Sequence, residues 1–173
     1  MTVRCVAACG ASLIVAALAI APPAATEPQF PDLGRFTAVN AAEYGIPIPS
    51  DGPYPGAQTG VAFGTPSGQN CSIWINVRGM WAAAYCNGPI PGRSQTSVSV
   101  GTTAAGEFRD SAGSGDGQST LLPVGHKIEF TRRGYVGTCA ADTAMTACVV
   151  DYDPPSSPAR HGFVLGPQES WTF

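Results

Sequence analysis

The sequence predicts an all-β fold: a small, disulfide-stapled antiparallel sandwich or open barrel carrying a Pro-rich N-terminal arm. Three observations lead there. Short runs rich in Val, Ile and aromatic residues recur between Gly, Pro, Asn and Asp turns. Four cysteines fall in two closely spaced pairs, Cys71 with Cys86 and Cys139 with Cys148. No long 3.6-residue periodicity appears past residue 25.

The chain opens MTVRCVAACGASLIVAALAIAPPAATEPQF. Arg4 gives a short positive start, Cys5 to Ala21 is uncharged and mostly apolar, and Ala/Pro-rich sequence follows to the first acid, Glu27. This is the pattern of a secretory signal peptide, assigned to residues 1–25. Pro22 follows the small-residue site Ala19-Ile20-Ala21, and cleavage after Ala24 or Ala25 leaves proline at the −3 position. A signal anchor is therefore the minor alternative, and no stable membrane insertion is expected after cleavage. A lipoprotein reading of Val6–Cys9 fails because most of the apolar run lies after it.

Residues 26–58 carry Pro28, Pro31, Pro47, Pro49, Pro53 and Pro55, which rules out a central strand. Phe30, Leu33, Phe36, Tyr44 and Ile46 make the segment an extended arm that packs on the domain, with one short helical turn expected near Thr37–Tyr44. Residues 59–173 form the β domain. Its expected strands are Gly60–Gly64, Cys71–Val77, Met80–Cys86, Thr96–Thr102, His126–Thr131, Tyr135–Cys139, Met145–Tyr152 and His161–Leu165. Residues 101–120 and 153–162 are expected to be loops, the first rich in Gly, Ser and Thr.

An even number of cysteines in an exported chain reads as disulfides. Zinc knuckles and Cys-x-x-Cys redox pairs are both missing from residues 26–173. Of three possible pairings, hairpin arithmetic favours Cys71–Cys86 and Cys139–Cys148. With Cys71 opposite Cys86, Ile73 faces Ala84, Ile75 faces Ala82, and Arg78-Gly79 remains as a two-residue turn. That count puts Cys71–Cys86 at a hydrogen-bonded pair, about 5.5 Å between Cα atoms, a strain that a bulge or a four-residue turn relieves. Cys139–Cys148 leaves Thr143-Ala144 as its turn and falls at a non-hydrogen-bonded pair. The two hairpins echo one another faintly, which suggests that they pack together.

Two segments carry a family likeness: VAFGTPSGQNCSIWINVRGMWAAAYCNG, and LLPVGHKIEF with YVGTC, MTACVV, RHGFVLG and the terminal WTF. With the arm's FPDLGRFTAVNAAEY, they resemble a group of small exported proteins from mycobacteria and related actinobacteria with no assigned activity. The resemblance implies export and the two disulfides, and transfers no catalytic residue.

Composition and motif spacing exclude several chemistries. The whole chain has a net charge of −3, and without Arg4 eight scattered basic residues face twelve acids, so no nucleic-acid partner is expected. No Gly-x-Ser-x-Gly elbow is present, and only His126 and His161 could serve as bases. His161, close in sequence to Asp151 and Asp153, is the better candidate and defines the alternative function, a small secreted hydrolase. The simpler reading starts a strand at His161 and bonds its ring to a loop. Asp110 and Asp116 lack calcium-loop spacing, and Gly113, Gly115 and Gly117 lack the Lys-Ser/Thr of a phosphate loop, so no metal and no cofactor is expected. Asp51, Glu107, Asp110 and Glu129 could pair as glycosidase carboxylates only by chance proximity.

The hairpin register puts Cys71, Ile73, Ile75 and Val77 on one apolar face with Met80, Ala82, Ala84 and Cys86. The opposite face carries Ser72, Trp74 and Asn76 beside Trp81, Ala83 and Tyr85. Such a face suits a ligand platform, with Trp74, Trp81 and Tyr85 as binding residues for an envelope glycan or protein. It also suits a sheet lying under the apolar arm, the favoured reading. The expected function is an exported, non-catalytic binding or structural protein of the cell envelope or extracellular space.

Overall fold

A computed structural model describes residues 29–46, 58–111, 119–152 and 160–173. Residues 1–28, 47–57, 112–118 and 153–159, which include the expected signal peptide, Asp51, Asp116, Asp153 and the glycine run at 113–117, lie outside the described residues.

Two sheets stack as a sandwich. The five-stranded sheet runs in chain order: β2 (Gln58–Gly64), β3 (Asn70–Asn76), β4 (Trp81–Asn87), β5 (Ser97–Gly101) and β6 (Ala104–Arg109). The six-stranded sheet has the order β1-β7-β8-β9-β10-β11, with β1 Thr37–Ala38, β7 His126–Arg132, β8 Tyr135–Ala141, β9 Thr146–Tyr152, β10 His161–Leu165 and β11 Ser170–Thr172. Every pairing between these strands is antiparallel except β1 with β7, where the arm adds a parallel edge. Proline-rich sequence tolerates an edge because only one side of the strand must bond.

Both predicted staples form, Cys71–Cys86 and Cys139–Cys148. Ile73 faces Ala84 and Ile75 faces Ala82 as the register required. The first turn differs. It spans four residues, Val77 to Met80, because the Asn76 side-chain carbonyl accepts from the amides of Arg78 (3.1 Å) and Gly79 (2.7 Å). Met80 takes the left-handed conformation, φ +54°. The longer turn changes the phase of the ladder, and Cys71 and Cys86 sit with Cα atoms 4.1 Å apart, the close spacing of a non-hydrogen-bonded pair. The second hairpin keeps its two-residue turn, closed by Asp142 N–H to Met145 O at 2.8 Å, and its cysteine Cα atoms are also 4.1 Å apart.

Alternation sends both disulfides into one core with Phe63, Ile73, Ile75, Ile128 and Phe163, all of them fully buried or nearly so. The two stapled hairpins lie in opposite sheets and pack against each other, β4 on β8 and β9. At the closest approach a Cβ added to Gly137 would stand 2.3 Å from Ile73 Cγ2. One end of the sandwich is tied by buried Gln69, whose Oε1 accepts from Thr65 (2.6 Å) and from Thr146 on β9 (3.0 Å) while its Nε2 donates to Pro89 O (2.8 Å). Such a satisfied network avoids the desolvation penalty of a buried amide. Along the β6–β11 seam, Arg93 donates twice to Ser170 O (2.9 and 2.7 Å), and Thr172 donates to Gly106 O at 3.1 Å.

Three expectations need correction. The stretch read as one loop over 101–120 contains β6, in which Phe108 points inward while Glu107 and Arg109 point out. The C-terminal Ser170–Thr172 adds an eleventh strand. The arm holds two 3-10 turns, Leu33–Arg35 and Ala41–Tyr44, capped by the Asp32 and Asn40 side chains, with β1 between them. Tyr44 enters the central core, so the arm is part of the domain's interior.

Candidate functional site

Residues 30–36 of the arm cover a sheet, though not the one carrying Trp74. Its buried Leu33 and Phe36 lie on Ala140, Ala147, Val149 and Val164, the outer face of the six-stranded sheet. Phe30 meets Trp171 and Phe173 edge-on, at 6.4 and 5.2 Å between centroids. The favoured reading of a Trp74 face buried beneath the arm is therefore not what the described residues form. The reason is chemical: the outer face of β8–β10 is mainly Ala and Val, with Thr138 and Asp151 the exceptions, whereas that of β3–β5 alternates aromatics with Ser, Asn and Gly.

On the outer face of the five-stranded sheet, Trp74 is half-buried against a glycine of the neighbouring strand and Trp81 against a glycine of the β3–β4 turn. A Cβ on Gly60 would fall 2.7 Å from Trp74 Cε3, so this indole lies across β2, away from β4. A Cβ on Gly79 would fall 2.7 Å from Trp81 Nε1, so this ring folds back over the turn. Tyr85 stays 39% exposed. The predicted trio thus divides: Trp81 and Tyr85 share a groove with β5 and β6, and Trp74 stands outside it.

That groove encloses about 370 Å³ and is lined by Trp81, Tyr85, Ser99, Thr103, Glu107 and Arg109 among others. A second hollow of about 370 Å³ shares Tyr85, Ser99 and Arg109 and continues past Asn87, Ser97 and Ser111. The two form one trough along β4–β6 with Tyr85 and Arg109 at its middle. Its concavity follows from the backbone: the β5–β6 register shifts between Ser99 and Gly101, and such a bulge increases local twist.

Glu107 and Arg109, two apart on β6, share a face, and the Arg109 guanidinium donates to the Glu107 carboxylate. This hydrogen bond, reinforced by the opposite charge, lowers the Glu107 pKa, and the same bond raises that of Arg109. Carboxyl NMR will find Glu107 titrating below the ordinary glutamate range, so the pair persists as pH falls through that range and breaks only beneath it. Substituting Arg109→Gln returns the Glu107 midpoint upward to the ordinary glutamate range; an unchanged midpoint would dissolve the pairing.

Other sequence candidates do not converge. His161 opens β10, with Nδ1 3.2 Å from Phe173 O, and among the described residues no serine or carboxylate hydrogen-bonds it. His126 Nδ1 lies 2.9 Å from Val124 O. Glu129 is on β7 in the other sheet from Glu107 and Asp110. Among the described residues no group of three or more His, Cys, Asp or Glu could hold a metal. Sequence reasoning missed Thr103 and Arg109 as site residues because residues 101–120 read as loop, and Ser99, on an expected strand, because the partner strand that makes its face concave was absent from that reading. The alternation Gly106-Glu107-Phe108-Arg109 was the signal available.

Searches against protein families, curated proteins and solved structures found no match. The two disulfides fit an oxidising, extracytoplasmic compartment. No helix among the described residues is long and apolar enough to cross a membrane.

Proposed function

We propose that this chain is an exported, non-catalytic binding protein that recognises an envelope glycan or protein through the outer face of β4–β6. The observation carrying this reading is the trough: Trp81 and Tyr85 facing it beside the exposed Glu107–Arg109 pair, with Phe30, Leu33 and Phe36 of the arm packed on the other sheet. Concave sites of this size with aromatic walls and a few directed polar groups are where proteins usually take ligands. Export is supported by the leader pattern, the stapled core and the likeness to small exported actinobacterial proteins. Trp74, committed to Gly60, serves as a flank.

The test uses the chain's three tryptophans. In an NMR titration with solubilised envelope polysaccharide and, separately, envelope protein, the Trp81 indole N–H signal shifts while that of Trp171 stays fixed. If neither fraction moves Trp81, the reading is lost.

A further inference from the structure

We infer that the trough takes a linear, neutral glycan laid along β4–β6, with Tyr85 stacking on one sugar ring and the Glu107–Arg109 pair reading its adjacent hydroxyls. The inference rests on the binding role proposed above and narrows it to one ligand class and a set of contact residues.

The first argument is charge. Glu107 and Arg109 neutralise each other in the middle of the trough. A charged ligand would have to break that pair to find a partner, whereas a neutral ligand can use it intact. Asp110 adds one acid in the second hollow, which weighs against a polyanion. The second argument is hydrogen-bond geometry. A guanidinium carries five N–H donors and a carboxylate has several acceptor sites, so their mutual bond leaves both with capacity facing solvent. Donor and acceptor side by side match neighbouring hydroxyls, one accepting from Arg109 and the next donating to Glu107. Such charge-assisted bonds are the stronger kind.

The third argument is shape. Trp81 and Tyr85 share a face four residues apart, about 13 Å along the strand, and the trough runs on beyond Tyr85. That length exceeds one sugar ring. The hydroxyl and amide side chains of Ser97, Ser99, Asn87 and Ser111 line the extension. An aromatic face flanked by small polar groups suits a ring with one apolar C–H face and hydroxyls at its edge.

Calorimetry and NMR on the full exported chain test this with maltohexaose, cellohexaose and mannohexaose as neutral probes. Hexagalacturonate, pentalysine and an uncharged Ser/Thr-rich peptide complete the set. At least one neutral hexasaccharide should shift the Tyr85 ring and Arg109 side-chain signals. Its affinity should fall at least tenfold in Tyr85→Ala and in Arg109→Gln, and less than twofold in Trp74→Phe, with the melting temperature of each variant as the folding control. A loss in Trp74→Phe as large as in Tyr85→Ala overturns the placement. Binding confined to a charged probe or to the peptide overturns the ligand class and leaves the binding role standing. If no neutral probe binds, the inference falls. The binding role falls with it only when envelope polysaccharide and protein also leave Trp81 unmoved.

Discussion

Replacing Gly137 with alanine will destabilise the domain by about 3 kcal/mol, the upper part of the range for an overpacked core. In most strands this substitution helps, because alanine restricts the unfolded chain. Here the added methyl carbon would stand 2.3 Å from Ile73 Cγ2, and Ile73 is fully buried in the facing sheet with no room to retreat. The sheets must part locally or Ile73 must leave its rotamer. Ile73→Ala alone also destabilises, by about 3 kcal/mol, through the cavity it leaves. The double variant should lose less than the sum of the two, with a coupling of about 2 kcal/mol in urea unfolding, since each change accommodates the other. Additive losses would mean that this contact does not set the spacing of the sheets.

The larger effect comes from the staples. Removing Cys71–Cys86 as a double alanine variant opens a loop of sequence separation 15, and Cys139–Cys148 one of 9. Closure entropy for loops of this size gives about 3 kcal/mol each. Losing both should remove about 5 kcal/mol or more, comparable with the whole net stability of a small domain. All four cysteines are buried in the core at 3% exposure or less. Reductant therefore reaches the sulfurs only when the sandwich opens, and the rate of thiol release in mild dithiothreitol should follow the unfolding rate. Rapid release from a chain whose circular dichroism stays native would contradict this burial.

Much of the β domain was legible because two constraints coincide in it. Strand alternation and cysteine spacing each specify the Cys71–Cys86 hairpin, and both give the same facing pairs. The turn was harder, because Asn76 caps it with a side chain and so outcompetes the shorter Arg78-Gly79 turn. Strand β6 was hidden by its small residues: Ala104, Ala105 and Gly106 read as linker, yet Gly106 is what lets Thr172 close in, a Cβ there lying 2.5 Å from Thr172 Cβ. The arm's destination was available in principle. Ala147-Cys148-Val149-Val150 is an unbroken apolar run, buried on both faces in the fold, and such a run marks a strand covered from two sides. The Trp74 strand, alternating with Ser72 and Asn76, did not carry that mark. The candidate site was half legible: its aromatics stood out, but the β6 charges that complete it sit on a strand whose short alternation, Gly106 to Arg109, is masked by the linker-like residues before it.

The arm's position gives the molecule a front and a back. Phe30, the most N-terminal of its packed aromatics, sits on one broad side of the sandwich, and the trough opens on the other, two sheets away at a spacing of about 10 Å. Among the described residues, the packed aromatics of residues 30–36 occupy the reverse side only. A molecule approaching the concave side therefore meets bare sheet.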